Sequence, residues 1–236
     1  MQNIPLSHEE FQTKLNFINK IKKEGDFMTA KKMIISGLNY LQQFNNATYN
    51  SILYLYLAKI LFEEKNFIHA EPIFREGLIQ LEIRSNSFRS NYKLLNPDSY
   101  NYNFIKYLIT VMNMFAVVLD EIDKKDELEL LLKEILAIKV HIFKPLVIGG
   151  INESTLRSID RIGFLLYNNK KYEEAVGYFQ SSFNWKKIMY GTSCKDTSMT
   201  NTYLCNVLNK LRRFDDADYW SEQCSPHLEV PLILFR

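Results

Sequence analysis

Residues 170–175 read KKYEEA and residues 212–217 read RRFDDA, so one pattern occurs twice at a spacing of 42 residues. The pattern occurs twice more upstream, as GDFMTA at residues 25–30 and KNFIHA at residues 65–70, which lie 40 residues apart. In each copy an aromatic residue is followed by two residues and then by alanine. A period near 40 is typical of arrays of stacked helical hairpins. Because one hairpin cannot bury its apolar face alone, the sequence predicts hairpins that stack on one another.

The remainder of the chain also predicts helices. Glycine and proline are scarce, with 8 and 6 among 236 residues, and they fall mainly where turns are needed. Ser7 and Glu10 have the spacing of a capping box, which opens a first helix. We predict ten helices, at about residues 7–23, 27–44, 48–64, 66–84, 99–123, 126–143, 153–169, 172–190, 196–211 and 214–224.

Composition and charge restrict the class of protein. Hydrophobic residues make up 47% of the chain and charged residues 24%, which is typical of a folded globular protein. The formal net charge of +2 lacks the strongly basic balance of nucleic-acid-binding proteins. The apolar run at residues 52–62 is interrupted by Lys59 and is too short for a membrane span. We therefore expect a protein without a membrane span, and we find no secretory-signal pattern in MQNIPLSHEEF.

The cysteines indicate a reducing compartment. Cys194, Cys205 and Cys224 are odd in number and form no CxxC pair, and only four histidines are present. This pattern argues against a disulfide framework and against a structural zinc site. We therefore expect reduced thiols, no metal and no cofactor, with a cytoplasmic location or another reducing compartment or organelle.

Two segments resemble a known repeat family. Two stretches, residues 70–84 (AEPIFREGLIQLEIR) and residues 178–204, resemble the kinesin-light-chain-like variety of tetratricopeptide repeat proteins. In the second stretch Gly191, Asp196 and Thr197 match the glycine, aspartate and threonine that this variety has between one repeat and the next. The resemblance implies an all-α fold, a right-handed superhelix of about five antiparallel helical hairpins. It also implies internal contact positions, which are Leu57, Ala58, Leu61, Phe67, Ala70, Phe74 and Gly77 in one repeat and Ile162, Gly163, Leu166, Tyr172, Ala175 and Phe179 in another.

The resemblance is uneven along the chain. In the first repeat Ile18 replaces the usual glycine or alanine, and in the middle of the chain Glu129 lies near the expected position of alanine. We expect a single domain over residues 1–236, with clear repeats at about 7–84 and 153–225, a degenerate hairpin at about 99–143, a loop at 85–98 and an apolar tail at 226–236.

Small residues are expected where helices approach most closely. Gly163 and Ala58 are placed where the two helices of one hairpin cross, since a larger side chain would push them apart. Gly37 and Gly77, 40 residues apart, are placed where one repeat meets the next. We also expect the repeated alanines to be buried, namely Ala70, Ala175 and Ala217.

Side chains on the first helix of each of the last two clear repeats share one helical phase. The resemblance places them inside the superhelix, in a groove that would bind a protein or peptide. They are Arg157, Asp160, Arg161, Phe164, Tyr167 and Asn168 in one repeat and Met199, Thr202, Tyr203, Asn206, Asn209 and Lys210 in the last. Arginine can bind carboxylates in a bidentate pair, and amide side chains can bind a peptide backbone. A solvated face without a ligand is the alternative.

No catalytic constellation is visible in the sequence. Asp215-Asp216 and Glu173-Glu174 are adjacent carboxylates in the first turns of predicted helices, where the helix dipole favours negative charge. The histidines have no spaced acidic or cysteine partner. We therefore predict that the protein is not an enzyme.

These observations favour a non-catalytic protein–protein interaction scaffold that is a subunit of a larger assembly and binds a partner segment in its groove. A peptide-sensing regulatory protein and an RNA-binding helical repeat are two alternatives. Residues 85–103 interleave basic and aromatic residues, as an RNA-binding segment would, but the net charge gives this alternative no support. The apolar tail could dock in another subunit or fold back over the last hairpin.

Overall fold

The computed structural model describes residues 7–44, 47–80, 101–143 and 151–224. These residues contain ten α-helices and one short 3₁₀ helix, and they contain no β-strand. They divide into two compact units, and the first ends at Lys124. The predicted all-α class is confirmed, whereas a single domain over the whole chain stays a prediction.

The helices begin and end within a few residues of the predicted bounds. The first unit contains α1 (His8–Lys23), α2 (Phe27–Leu41), α3 (Ala47–Glu63), α4 (Phe67–Gln80) and α5 (Asn101–Glu121), with the 3₁₀ helix at Gln42–Phe44. The second unit contains α6 (Lys125–Phe143), α7 (Glu153–Asn168), α8 (Tyr172–Tyr190), α9 (Lys195–Lys210) and α10 (Phe214–Ser221). The capping box predicted at Ser7 and Glu10 is present at the start of α1.

Five tight turns share one backbone geometry. Each contains one residue with a positive φ, between 57° and 86°, and these residues are Gly25, Lys65, Asp123, Lys170 and Arg212. The N–H of the residue that follows donates to a carbonyl five residues back, as from Asn66 to Leu61 at 2.8 Å. This is the Schellman arrangement, which ends a helix and satisfies its last carbonyl groups. The positive-φ residue is therefore a common reference point from which the hairpins can be compared.

The repeated alanines lie five residues after this reference point. All four are buried, with at most 4% of their surface exposed: Ala30, Ala70, Ala175 and Ala217. The expected burial of these alanines is confirmed. After Asp123 the equivalent position is Leu128, and Glu129 directly follows it, near the alanine position as expected. The middle of the chain therefore follows the same turn pattern with a larger side chain at the alanine position.

The crossing position lies seven residues before the reference point. Gly163 is buried there, and a Cβ atom added to it would lie 3.0 Å from Cε1 of Phe179. Ala58, which is fully buried, has the equivalent place in the first unit. In α1 this position is Ile18, whose larger side chain is buried as well.

The two other glycines differ in what they contact. A Cβ atom on Gly37 would lie 3.0 Å from Leu53, which belongs to the following hairpin, as predicted. A Cβ atom on Gly77 would lie 2.7 Å from Leu55, which is on α3, the first helix of the same hairpin. The prediction that Gly77 faces the next repeat is therefore wrong, because α4 uses this glycine to approach its own partner helix.

The first unit is built around α3. This helix packs against α2, α4 and α5, and α2 packs against α1. Phe11 stacks on Tyr49 with 4.0 Å between ring centroids, which joins α1 to α3. Phe74 stacks on Phe115 at 5.6 Å, which joins α4 to α5. Aromatic contacts therefore link α1 to α3 and α4 to α5.

The second unit is a continuous series of neighbours. Helix α7 packs against α6 and α8, and α9 packs against α8 and α10. Phe179 and Phe183 of α8 are fully buried, and Trp220 of α10 meets Phe183 edge-on at 5.5 Å. The core of this unit therefore lies along α8, which packs against α7 on one side and α9 on the other.

Some predictions fall outside the described residues. The loop at residues 85–98 and the apolar tail at residues 226–236 belong to this group. The basic and aromatic segment at residues 85–103 is described only from residue 101. These predictions stay predictions.

Candidate partner-binding face of the second unit

Helices α7 and α9 each present a line of side chains spaced three and four residues apart, which places each line on one side of its helix. On α7 the line contains Arg157, Arg161, Phe164 and Asn168, and on α9 it contains Met199, Tyr203, Asn206 and Lys210. The outer members of each line are exposed and the inner members are half-buried. We call these eight residues the A-helix face of the second unit. It presents cations, amides and aromatic rings side by side.

An aromatic cluster joins the two lines. The rings of Phe164 and Tyr203 meet edge-on with 4.6 Å between centroids, so α7 and α9 are in direct contact along this face. Tyr203 also stacks on Phe179 of α8 at 5.9 Å, and Phe179 is fully buried. The face is therefore anchored to the core and holds its polar residues on a rigid base.

The remaining predicted residues lie beside this face. Tyr167 packs against Tyr172 of α8, with 5.6 Å between ring centroids. Asn209 is exposed near the end of α9, and its carbonyl accepts a hydrogen bond from the Arg212 N–H. Arg157 forms an ion pair with Glu153, one helical turn away. The structure therefore brings Phe164 and Tyr203 together, and it ties Tyr167 to its own hairpin.

Asp160, which the sequence placed in the groove, points into the packed interior. Its carboxylate accepts hydrogen bonds from Ser182 Oγ at 2.5 Å and from Lys186 Nζ at 2.7 Å, both on α8. Lys186 is only 8% exposed and also donates to Thr200 Oγ1 of α9 at 2.7 Å. This network connects three consecutive helices directly beneath the A-helix face. Sequence reasoning missed it, because a lysine eleven residues after an alanine carries no signal by itself.

A second buried lysine lies at the equivalent position of α6. Lys139 follows Leu128 by eleven residues, as Lys186 follows Ala175, and its Nζ donates to Ser158 Oγ at 2.8 Å and to the Ser154 carbonyl at 3.0 Å. Burial lowers the pKa of Lys139, and together with smaller contributions from the positive charges of Arg161 and Arg157 it brings the pKa to about 8. Three cationic side chains therefore share one region of α6 and α7.

Glu71 forms ion pairs with two cations in the first unit. Its carboxylate accepts hydrogen bonds from Arg75 at 2.5 Å and from Lys124 at 3.0 Å. Burial would raise the pKa of Glu71, but the hydrogen bonds from Arg75 and Lys124 outweigh this effect and hold the pKa below its ordinary value. Lys124 directly follows a positive-φ residue, so the contact joins two hairpins.

The second unit repeats this arrangement. Glu129 accepts hydrogen bonds from Lys133 at 2.6 Å and from Lys171 at 2.8 Å, and Lys171 also follows a positive-φ residue. Burial would raise the pKa of Glu129, but the hydrogen bonds from Lys133 and Lys171 hold it below its ordinary value. The repeated spacing of a glutamate and a cation four residues later is the signal from which this ion pair could have been predicted.

The ion pair of Glu129 predicts a pH-dependent stability. Because the folded-state pKa is lowered, the stabilisation is present above the ordinary pKa of about 4.3 and is lost as pH falls through the folded-state pKa. We expect Glu129→Gln to lower the free energy of unfolding by about 1 kcal/mol at neutral pH. The difference from the unmodified chain should vanish in acid. Urea unfolding at both pH values measures it.

Glu173→Gln is the matched control for this prediction. Glu173 pairs with Arg213 at 3.6 Å, but its side chain is 72% exposed, so its removal should change the free energy of unfolding by less than about 0.5 kcal/mol. Equal losses in the two variants, or a loss for Glu129→Gln that persists in acid, would contradict the assigned role of Glu129.

The first unit has an equivalent A-helix face. Asn19 Nδ2 of α1 donates to the Tyr56 hydroxyl of α3 at 3.1 Å. Counted from the positive-φ residues, Asn19 is equivalent to Phe164 and Tyr56 to Tyr203. The same two positions therefore join consecutive first helices in both units, by a hydrogen bond in one and by ring contact in the other.

Residues 155–185, which cover most of α7 and most of its hairpin partner α8, match the family model of the tetratricopeptide repeat. The matched segment includes Arg157, Asp160, Arg161, Phe164 and the buried Phe179, so it contains half of the A-helix face.

Several solved structures share the fold of this chain. A Podosopora anserina protein described as a kinesin light chain with nearly identical TPR-like repeats matches with a TM-score of 0.56 and 11% identity, over 93% of this chain and 95% of that chain. BtubC (BKLC) from P. vanneervenii matches with a TM-score of 0.54 and 16% identity, over 91% and 78%. MamA protein matches with a TM-score of 0.53 and 11% identity, over 92% and 91%. The predicted resemblance to tetratricopeptide repeat proteins of the kinesin-light-chain-like variety is confirmed.

No curated protein matches the sequence of this chain. Among the described helices, none combines the length and the apolar character that crossing a membrane requires.

Proposed function

We propose that the protein is a non-catalytic scaffold that binds a segment of a partner protein on the A-helix face of its second unit, as a subunit of a larger assembly. Tetratricopeptide repeats serve as protein-interaction modules, so the repeat in residues 155–185 supports a protein partner. Fold alone does not specify a ligand, so the chemistry of the face has to supply the argument.

The observation that carries the proposal is the contact between Phe164 and Tyr203. A face that contacts only solvent needs no contact between its helices. Here the rings of Phe164 on α7 and Tyr203 on α9 have centroids 4.6 Å apart, and Tyr203 also stacks on Phe179. Aromatic rings bind apolar side chains with little loss of conformational freedom. The cluster therefore offers a rigid apolar platform on which a partner side chain can pack.

The charges around this platform favour an acidic partner segment. Arg157 and Arg161 lie on one side of it, above the buried cation of Lys139. Asn168 and Asn206 can donate to and accept from the backbone of an extended peptide. A segment with carboxylates beside an apolar residue would use all of these groups, and arginine can bind such carboxylates in pairs.

This proposal predicts the effect of Arg161→Glu. The substitution places a negative charge where a carboxylate of the partner would bind, so partner capture should fall about tenfold or more. Arg161 is half-buried and lies near the cations of Arg157 and Lys139, so the thermal midpoint of the variant is measured as well, which separates a loss of binding from a loss of stability. Quantitative mass spectrometry of proteins retained by the tagged full chain and by the variant measures the loss.

Lys187→Glu is the matched control, since Lys187 is an exposed cation on α8 and does not belong to the A-helix face. The proposal expects this control to retain the same proteins as the unmodified chain. Retention of all partners by the double variant Arg157→Glu/Arg161→Glu would place the binding surface elsewhere.

A further inference from the structure

The first hairpin contains an apolar cleft that differs from the A-helix face. Its volume is about 480 Å³, and it lies along α1 and α2. Its lining includes Phe11, Leu15, Ile18, Met33, Tyr40 and Leu41. Lys14 and Lys32 are exposed and also line it, so two cations lie at its edge. Specific binding sites have this size and this mixture of apolar lining and few polar groups.

In the second unit the equivalent residues share a small core with the preceding helix. Counted from the positive-φ residues, Met33 is equivalent to Tyr178 and Tyr40 to Trp185. Tyr178 and Trp185 pack against Ile151, Leu156 and Ile159, and so do Leu136 and Val140 of α6. The cleft on α1 and α2 is therefore the surface on which an earlier hairpin of the array would pack.

A run of apolar residues follows α10 in the sequence and lies outside the described residues. Helix α10 has eight residues, whereas α6 has nineteen, and Leu136 and Val140 lie in the part of α6 that α10 lacks. The apolar run VPLILF follows α10 at residues 230–235, directly after Glu229. The run is long enough for the cleft, since α1 from Phe11 to Ile18 spans about 10 Å and three to four extended residues span a similar length.

We propose that residues 230–235 of one chain dock in the cleft between α1 and α2 of a second copy, with Glu229 beside Lys14 and Lys32. The last hairpin of one copy then precedes the first hairpin of the next, as α6 precedes α7 within the chain. Such an interface is heterologous, because the two surfaces differ, so it leads to head-to-tail series of copies rather than to a closed dimer.

Sedimentation analysis of the full chain over a wide concentration range tests this proposal. The unmodified chain should form a growing series of oligomers. Met33→Glu in the cleft and Ile233→Glu in the tail should each raise the dissociation constant more than about tenfold, because each places a charge in an apolar contact. Lys14→Glu, at an exposed residue that the fold does not need, should weaken association in the same direction.

A mixture of two variants identifies the contact. Met33→Glu keeps its tail and Ile233→Glu keeps its cleft, so an equimolar mixture should form a dimer of one copy of each and grow no further. Met28→Glu, at a residue that is 61% exposed on α2 and does not line the cleft, should leave the series unchanged. Arg161→Glu should also leave it unchanged, so this proposal and the partner-binding proposal can fail separately.

Three results would overturn the proposal. One is a full chain that is monomeric at every concentration. A tail variant of lowered stability would then mean that the tail folds back on its own chain. Another is an equimolar mixture that does not associate. The third is oligomers that survive both Met33→Glu and Lys14→Glu.

Discussion

Asp160→Ala is expected to lower the free energy of unfolding by about 3–5 kcal/mol, because it leaves a buried cation without its counter-charge. Lys186 is 8% exposed, and its Nζ lies 2.7 Å from the Asp160 carboxylate. After the substitution only Thr200 remains as a described hydrogen-bond partner of this ammonium group. Ser182 loses its acceptor as well. Urea unfolding monitored by circular dichroism measures the loss.

The double variant Asp160→Leu/Lys186→Met is the matched control. It removes both charges and fills a similar volume with apolar groups, so most of the lost stability should return. Recovery would show that the loss came from the unpaired lysine and not from the missing carboxylate itself. A loss below about 1 kcal/mol for Asp160→Ala alone would show that Lys186 finds other partners, and it would contradict the role given to this pair.

Gly163→Leu is expected to cost about 1–3 kcal/mol, because extra methyl groups in a packed core force neighbouring atoms to move. The first added atom would already lie 3.0 Å from the Phe179 ring. Phe179 cannot move easily, since it is fully buried and stacks on Tyr203. The thermal midpoint of the second unit should therefore fall.

Gly177→Leu on the neighbouring helix is the control for this substitution. Gly177 is exposed, and a Cβ atom there would meet no atom within 4 Å. Leucine also favours a helix over glycine, by up to about 1 kcal/mol, so the midpoint should stay or rise. An unchanged midpoint in Gly163→Leu would contradict the helix-crossing role of Gly163.

The sequence was sufficient to predict the helices and most of the hairpins. An aromatic residue followed three positions later by alanine marks the start of the second helix of a hairpin, directly after the tight turn. It was less informative in the middle of the chain. The positive-φ residues Lys65 and Asp123 are 58 residues apart instead of 40, and Leu128 replaces the alanine. The insertion and the substitution together hide a turn whose backbone geometry is unchanged.

The polar interior was the part that sequence reasoning could not predict. Helical phase placed Asp160 with Arg157 and Arg161, but its short side chain reaches Ser182 and Lys186 on the adjacent helix. A carboxylate at the edge of a helical face can turn either to solvent or to a buried cation. The choice depends on which side chain the neighbouring helix supplies, and this is visible only once the helices are packed.

Site-specific photo-crosslinking tests the central claim, that the A-helix face of the second unit binds a partner protein. A photoreactive amino acid replaces Asn206 on this face, Asn168 on the neighbouring helix, or Gly177 on the exposed side of α8, in the tagged full chain. The account predicts cross-links to the same partner from Asn206 and Asn168, and none from Gly177. Cross-links from Gly177 alone, or equally from all three positions, would contradict it.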